Sequence, residues 1–108
     1  MKIIQDPRVE KELNKLPEKD RAKISEYSEL FLKYGFGLSQ KYLKKINSRV
    51  WELRPDKWRL FLLYIKPDCV VIHFMRKQSQ KMTKETKKII EQRTKEYIWK
   101  PKKLILPS

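Results

Sequence analysis

Between residues 49 and 75 the chain writes one pattern three times, and that repetition restricts the fold more than any other feature. Segments 49–54, 58–65 and 69–75 are rich in β-branched and aromatic residues, and two Pro-Asp pairs, Pro55-Asp56 and Pro67-Asp68, separate them. Proline fixes φ and aspartate suits turns, so the pairs cut the apolar runs to strand length. The spacing predicts a three-stranded antiparallel meander. A chain of 108 residues then has room for one modest core and no second domain.

The flanks read mostly as helices. Residues 2–5 suit a short strand, and Asp6-Pro7 reads as an N-cap with proline in the first helical position. Val9, Leu13 and Leu16 mark an apolar stripe that Pro17 ends. Ile24, Tyr27, Leu30, Phe31 and Tyr34 then repeat at helical spacing until Gly35. Residues 35–47 suggest a connector with a short helical turn. Thr83 can cap a last helix with Ile89, Ile90, Tyr97 and Ile98 near one face. Beyond Pro101, residues 100–108 read as a flexible tail, with Leu104, Ile105 and Leu106 as an optional edge strand or docking segment. The predicted class is α+β: an N-terminal helix pair packed on a small, mainly antiparallel sheet, with a C-terminal helix.

Charge narrows the partners. Twenty-seven Lys and Arg against 13 Asp and Glu give a formal net charge of +14, which calls for a polyanion: nucleic acid, an anionic membrane surface or an acidic protein. No stretch approaches the roughly 20 apolar residues of a membrane span, and the N-terminus turns polar too soon for a signal peptide. Cys69 is the only cysteine and His73 the only histidine. An intramolecular disulfide and a Cys-cluster metal site are therefore excluded, and the reducing cytoplasm is the expected compartment.

Specific residues go further. The strand Val50-Trp51-Glu52-Leu53-Arg54, the start Trp58-Arg59-Leu60-Phe61, the run Val70-Val71-Ile72-His73-Phe74-Met75-Arg76-Lys77 and the closing Gln80-Lys81 resemble the phage-derived, HigB-like branch of the RelE toxin superfamily. That branch carries a W-E-L-R strand, an aromatic-Arg strand start, an apolar strand ending in H-x-F-x-K-K, and a T-Q-K-T-P lead into a C-terminal helix. The chain departs from the pattern in having Arg76 for the first lysine and Met82-Thr83 for Thr-Pro, and it lacks the aromatic hydroxyl that RelE itself carries near there.

The resemblance implies a RelE-like fold and a toxin of a type II toxin–antitoxin system, acting as a ribosome-dependent messenger RNA endoribonuclease. It also implies growth inhibition, no metal or other cofactor, and a cognate antitoxin with a helix-turn-helix domain. The chemistry is attack of the ribose 2′-hydroxyl on the adjacent phosphate, which needs a base, positive charge for the phosphorane and an acid for the leaving oxygen. Arg54 and Arg59 are the expected phosphate clamp, because a guanidinium bonds two oxygens and stays charged. Lys77, with Arg76 or Lys81 nearby, is the expected charge neutraliser or acid, and Glu52 or His73 the base. Glu52 and Arg54 share a strand face. Whether Arg59 joins them depends on an even-numbered loop, which the sequence leaves open and the resemblance favours. Lys41, Lys44, Lys45 and Lys84, with Arg76 and Lys81, suit contacts to the RNA backbone.

Each signal has a plainer reading. Glu52 with Arg54 can be a surface ion pair, Arg59 a snorkelling arginine, and the 76–81 cations a solvated loop. His73 in an apolar strand is more often a satisfied rim residue than a catalyst. Trp51 reads as core, while Trp58 and Trp99 can be core or base-stacking residues. Two other function classes compete: a non-catalytic ParE-like toxin acting on DNA gyrase, against which the cations on the sheet argue, and a basic nucleic-acid-binding module that binds RNA without cutting it.

Overall fold

The computed structural model describes residues 1–77 and 82–99. Its elements run β1 (Ile3–Gln5), α1 (Pro7–Leu13), α2 (Glu18–Tyr34), a 3-10 turn (Gly35–Gly37), β2 (Leu43–Lys45), β3 (Val50–Leu53), β4 (Trp58–Ile65), β5 (Asp68–Arg76) and α3 (Lys84–Trp99). The five strands form one mixed sheet in the order β1-β5-β4-β3-β2. β1 runs parallel to β5, and the other three pairings are antiparallel.

The predicted meander is the centre of this sheet. In β4 the four successive residues Leu60, Phe61, Leu62 and Leu63 are all buried, because both faces are covered and alternate side chains enter two different cores. Leu60 and Leu62 meet Val9, Leu13, Ile24 and Phe31 from α1 and α2. Phe61 and Leu63 meet Val50, Val70 and Ile72 together with Ile90 and Tyr97 of α3. Full burial of such side chains is worth about 1.5–3 kcal/mol each, so this strand contributes most to holding the layers together.

The local signals at the helix ends take the form their chemistry predicts. The Asp6 carboxylate accepts the Arg8 backbone N–H at 2.8 Å and proline occupies the first turn of α1. Thr83 Oγ1 accepts the Thr86 N–H at 3.1 Å at the start of α3. Gly35 takes a φ of 64° where α2 ends, a conformation glycine adopts without a Cβ clash.

One expectation needs correction, and two stripes gain detail. Within 35–47 the short helical turn is present at Gly35–Gly37, but Leu43–Lys45 is an edge strand paired with β3. Nothing local marks it, since three residues carry no readable period and their strand geometry is imposed by the neighbour. Tyr34 is 57% exposed although it falls on the α2 apolar repeat, whereas Phe31 in the same turn is fully buried. Of the α3 stripe, Ile90 and Tyr97 are buried while Ile89 and Ile98 are half-buried. The expected tail at 100–108 and the Gln80-Lys81 pair lie outside the described residues. No helix among the described residues is long and apolar enough to cross a membrane.

Candidate functional site

The loop joining β3 to β4 decides the geometry of the sheet's cationic end. Trp58 N–H bonds the Pro55 carbonyl at 3.0 Å, and Asp56 takes a φ of 56°. Aspartate is one of the few residues beside glycine that accepts the left-handed region readily. The strands leave this turn with Leu53 opposite Leu60 and Glu52 opposite Phe61. One step further along the same register, Arg54 stands across from Arg59. Since Phe61 and Val50 belong to the α3-side core, alternation puts Glu52, Arg54 and Arg59 on that same face.

Each arginine is tethered along one edge. Arg54 Nε donates to Glu52 Oε1 at 3.1 Å, and Arg54 Nη1 donates to the Gln40 carbonyl at 2.9 Å. Arg59 Nη1 donates to the Asp56 and Trp58 carbonyls at 2.8 and 2.7 Å. The remaining N–H groups of both guanidinium forks have no partner among the described residues. Burial first, and then the Arg54 charge, pull the Arg59 guanidinium below its ordinary pKa, while Glu52 and Asp56 pull the other way. Glu52 is ion-paired to Arg54, and Arg59 has no ion-pair partner among the described residues. Like charges directly across a strand pair are unfavourable, and an incoming anion would relieve that repulsion.

The other cations surround this centre at different distances. Lys44 on β2 stands opposite Glu52. Lys45 lies over the Trp51 ring at 5.4 Å, on the opposite face of the sheet, and Lys41 over the Tyr42 ring at 5.5 Å. The Lys77 backbone N–H bonds the Lys57 carbonyl at 2.7 Å. That places Lys77 two residues beyond Met75, the register partner of Arg59. Arg76 pairs across from Trp58 and is exposed, and Lys84 is exposed in the first turn of α3. Lys81 lies outside the described residues.

His73 stands apart from Glu52. The Glu52↔Phe61↔His73 row puts a whole strand between them, about 9–10 Å at the usual strand spacing. Its ring stacks on Phe61 with centroids 5.9 Å apart. Burial, and then the Arg93 charge, lower its pKa to about 4, so it is neutral at physiological pH. Trp51 packs against Phe36 and Trp58 against Phe74, whereas Trp99 is 76% exposed.

A second polar cluster was not legible as such. Asp6, read from sequence only as a cap, is wholly buried and also accepts from Arg8 Nε at 2.9 Å, Arg8 Nη2 at 2.7 Å and the Tyr97 hydroxyl at 2.6 Å. Burial alone would raise its pKa, but the bonds from Arg8 and Tyr97 and the Arg8 charge bring it down to about 2. Arg8 also reaches Glu96 at 2.8 Å. Arg93 Nη1 donates to the Ile72 carbonyl at 2.7 Å, beside the register shift between β4 and β5. The available signal was the spacing of Arg93 and Tyr97, four apart on one helix face.

Among the described residues no group of three or more His, Cys, Asp or Glu side chains is placed to hold a metal ion. No curated protein matches the chain. A family model described as phage derived protein Gp49-like (DUF891) matches residues 11–95, more than three quarters of the chain. That span takes in both helices of the N-terminal pair in whole or part, the four antiparallel strands with Glu52, Arg54 and Arg59, and most of α3. The chain therefore belongs to the Gp49-like family, a phage-derived, toxin–antitoxin-associated family of RelE-like proteins.

Proposed function

We propose that this protein is the toxin of a type II toxin–antitoxin pair in the HigB-like branch, and that it cleaves messenger RNA on the ribosome by 2′-hydroxyl attack. The observation that carries the reading is the pair of partly buried arginines, Arg54 and Arg59, set across adjacent strands with only Arg54 ion-paired among the described residues. A structural ion pair would balance its charges. Here Arg59 has no ion-pair partner among the described residues, and both guanidinium forks keep N–H groups without a partner there.

Such an arrangement suits a phosphate that gains charge. Each guanidinium is already positioned by backbone carbonyls, so little side-chain freedom is lost when an anion binds. The non-bridging oxygens of the scissile phosphate would lie between Arg54 and Arg59, whose hydrogen bonds strengthen as the phosphorane forms. The base removes the 2′-hydroxyl proton, the oxygen attacks phosphorus, and the 5′-oxygen leaves with a proton from an acid. Glu52 is the better-placed base, since it lies on the arginine face. His73 is a strand away and its pKa of about 4 makes it a weak base. Lys77, just past the register partner of Arg59, is the acid or charge neutraliser. Lys41, Lys44, Lys45, Arg76, Lys81 and Lys84 would hold the flanking backbone. A cognate antitoxin with a helix-turn-helix domain is the expected protein partner.

Induced expression in a bacterial host, wild type beside Arg59→Ala, tests the reading. Growth and the 5′ ends of cellular messenger RNA are followed, with circular dichroism confirming that the variant folds. Arrest with new RNA ends in the wild type, both lost in the variant, is the expected result. Arrest without new ends sinks the ribonuclease reading in favour of a gyrase-type mechanism. Absence of arrest leaves a binding module.

A further inference from the structure

A groove of about 480 Å³ opens where α2 ends. It is lined by Leu30, Tyr34, Gly37, Leu38, Ser39 and Tyr42. Its composition alternates in a way that the nearby arginine site does not. Tyr34 offers an exposed ring, and Lys33 Nζ lies 5.3 Å from that ring's centroid. Tyr42 carries Lys41 Nζ at 5.5 Å and is braced from below by Tyr27, with ring centroids 5.5 Å apart. Each of the two rings thus carries a cation over one face, within reach of the phosphate of a base stacked against the same ring.

The groove shares a turn with the proposed clamp. Ser39 and Tyr42 belong to one turn, closed by the Tyr42 N–H to the Ser39 carbonyl at 2.9 Å. Within that turn the Gln40 carbonyl accepts from Arg54 Nη1, and the Tyr42 carbonyl accepts the Arg54 backbone N–H at 2.9 Å. The turn that walls the groove is therefore the turn that aims Arg54.

We infer that the Tyr34–Tyr42 groove is a nucleobase-stacking subsite, which takes an unpaired base of single-stranded RNA next to the phosphate held by Arg54. The inference rests on the ribonuclease reading and adds to it the position and nature of the flanking contact. Charge complementarity favours RNA over an apolar peptide, because Lys33 and Lys41 crown the rings. Stacking accepts any base, so this subsite raises affinity with little sequence preference.

Binding of the full chain to a short oligouridylate is compared by fluorescence anisotropy with binding to an abasic ribose-phosphate oligomer of the same length. Tyr34 is exposed at the end of α2, so Tyr34→Ala leaves the core intact, and Tyr34→Phe serves as the conservative control. Tyr34→Ala is expected to weaken oligouridylate binding about fivefold to a hundredfold. Binding to the abasic oligomer, and the salt slope, should stay as in the wild type, because no phosphate contact is removed. Tyr34→Phe should bind as the wild type does. Equal affinity of Tyr34→Ala and wild type for oligouridylate overturns the subsite while leaving the ribonuclease reading intact. Loss of binding to an antitoxin, with RNA binding unchanged, overturns it in favour of a protein-docking groove. A wild type that binds neither oligomer also overturns the subsite, while growth arrest and new RNA 5′ ends decide the ribonuclease reading separately.

Discussion

The molecule holds two clusters of arginine and carboxylate, and they solve opposite problems. At the corner where α1 meets α3, the buried Asp6 carboxylate is saturated by Arg8, Tyr97 and a backbone N–H, and Arg8 has a second acid in Glu96. On β3 and β4 the acid Glu52 is paired with Arg54, while Arg59 has no ion pair and both guanidinium groups keep unpaired N–H groups among the described residues. The first cluster is closed and joins the two ends of the fold. The second is open and in surplus charge. Residue types alone do not separate structural from functional arginine; the balance of partners does.

Removing the hub of the closed cluster is the most damaging way to test this contrast. Asp6→Ala leaves Arg8 and Tyr97 without their buried acceptor and should cost about 3–5 kcal/mol in urea unfolding. Such a loss would be read as a lower midpoint with the slope retained. A loss within ~0.5 kcal/mol would mean that the corner is not a structural lock.

Arg59→Ala should behave in the opposite sense. RNA cleavage is expected to fall about 100- to 1000-fold, the usual effect of deleting one donor to a developing oxyanion. Stability should hold or rise slightly, because a partly buried like charge next to Arg54 is gone. A stability loss as large as that of Asp6→Ala, accompanied by unchanged cleavage, would make the two clusters alike.

Acid reaches the molecule through His73 and Asp6. A histidine whose folded pKa of about 4 lies below the ordinary 6.5 binds its proton more readily in the unfolded chain. Its contribution is therefore neutral above pH 6.5, and stability falls as pH drops from 6.5 toward 4, by about 2 kcal/mol after allowance for its partial exposure. Asp6 has the depressed value of an ion-paired acid, so its contribution is present above about pH 4 and lost as pH falls through about 2. His73→Phe should flatten the first phase and Asp6→Asn the second. Because His73 is the only histidine, its imidazole signals in NMR report the titration directly; a midpoint near 6.5 would show that the ring is not held in the α3-side core.

The smallest effect is expected at the rim. Lys44→Ala, across from Glu52 on the edge strand, should lower RNA affinity only a few-fold and reduce the salt slope by about one. A larger, salt-independent loss would move Lys44 from backbone contact into the clamp itself.

Much of the fold was legible because its signals are local. Pro55-Asp56 and Pro67-Asp68 punctuated the strands, Asp6-Pro7 and Thr83 opened helices, and Gly35 closed one. The edge strand β2 was not legible, since its three residues acquire their extended form by pairing with β3. Nor was the second role of Asp6, whose partner Tyr97 lies 91 residues away. The site was legible in part: the sequence names Glu52, Arg54 and Arg59, but one residue more or fewer in the loop would turn Arg59 to the other face.

What the sequence by itself determined is therefore every element but β2, the surplus of positive charge and the identity of the arginines, all of which follow from side-chain chemistry and short-range φ/ψ preference. What only the tertiary structure decided is which charges meet. The left-handed Asp56 turn fixes the register that sets Arg54 against Arg59, and the packing of α3 beside α1 closes the cluster around Asp6. Both are contacts between segments far apart in the chain or across a turn, where electrostatic balance depends on distance and burial rather than on composition.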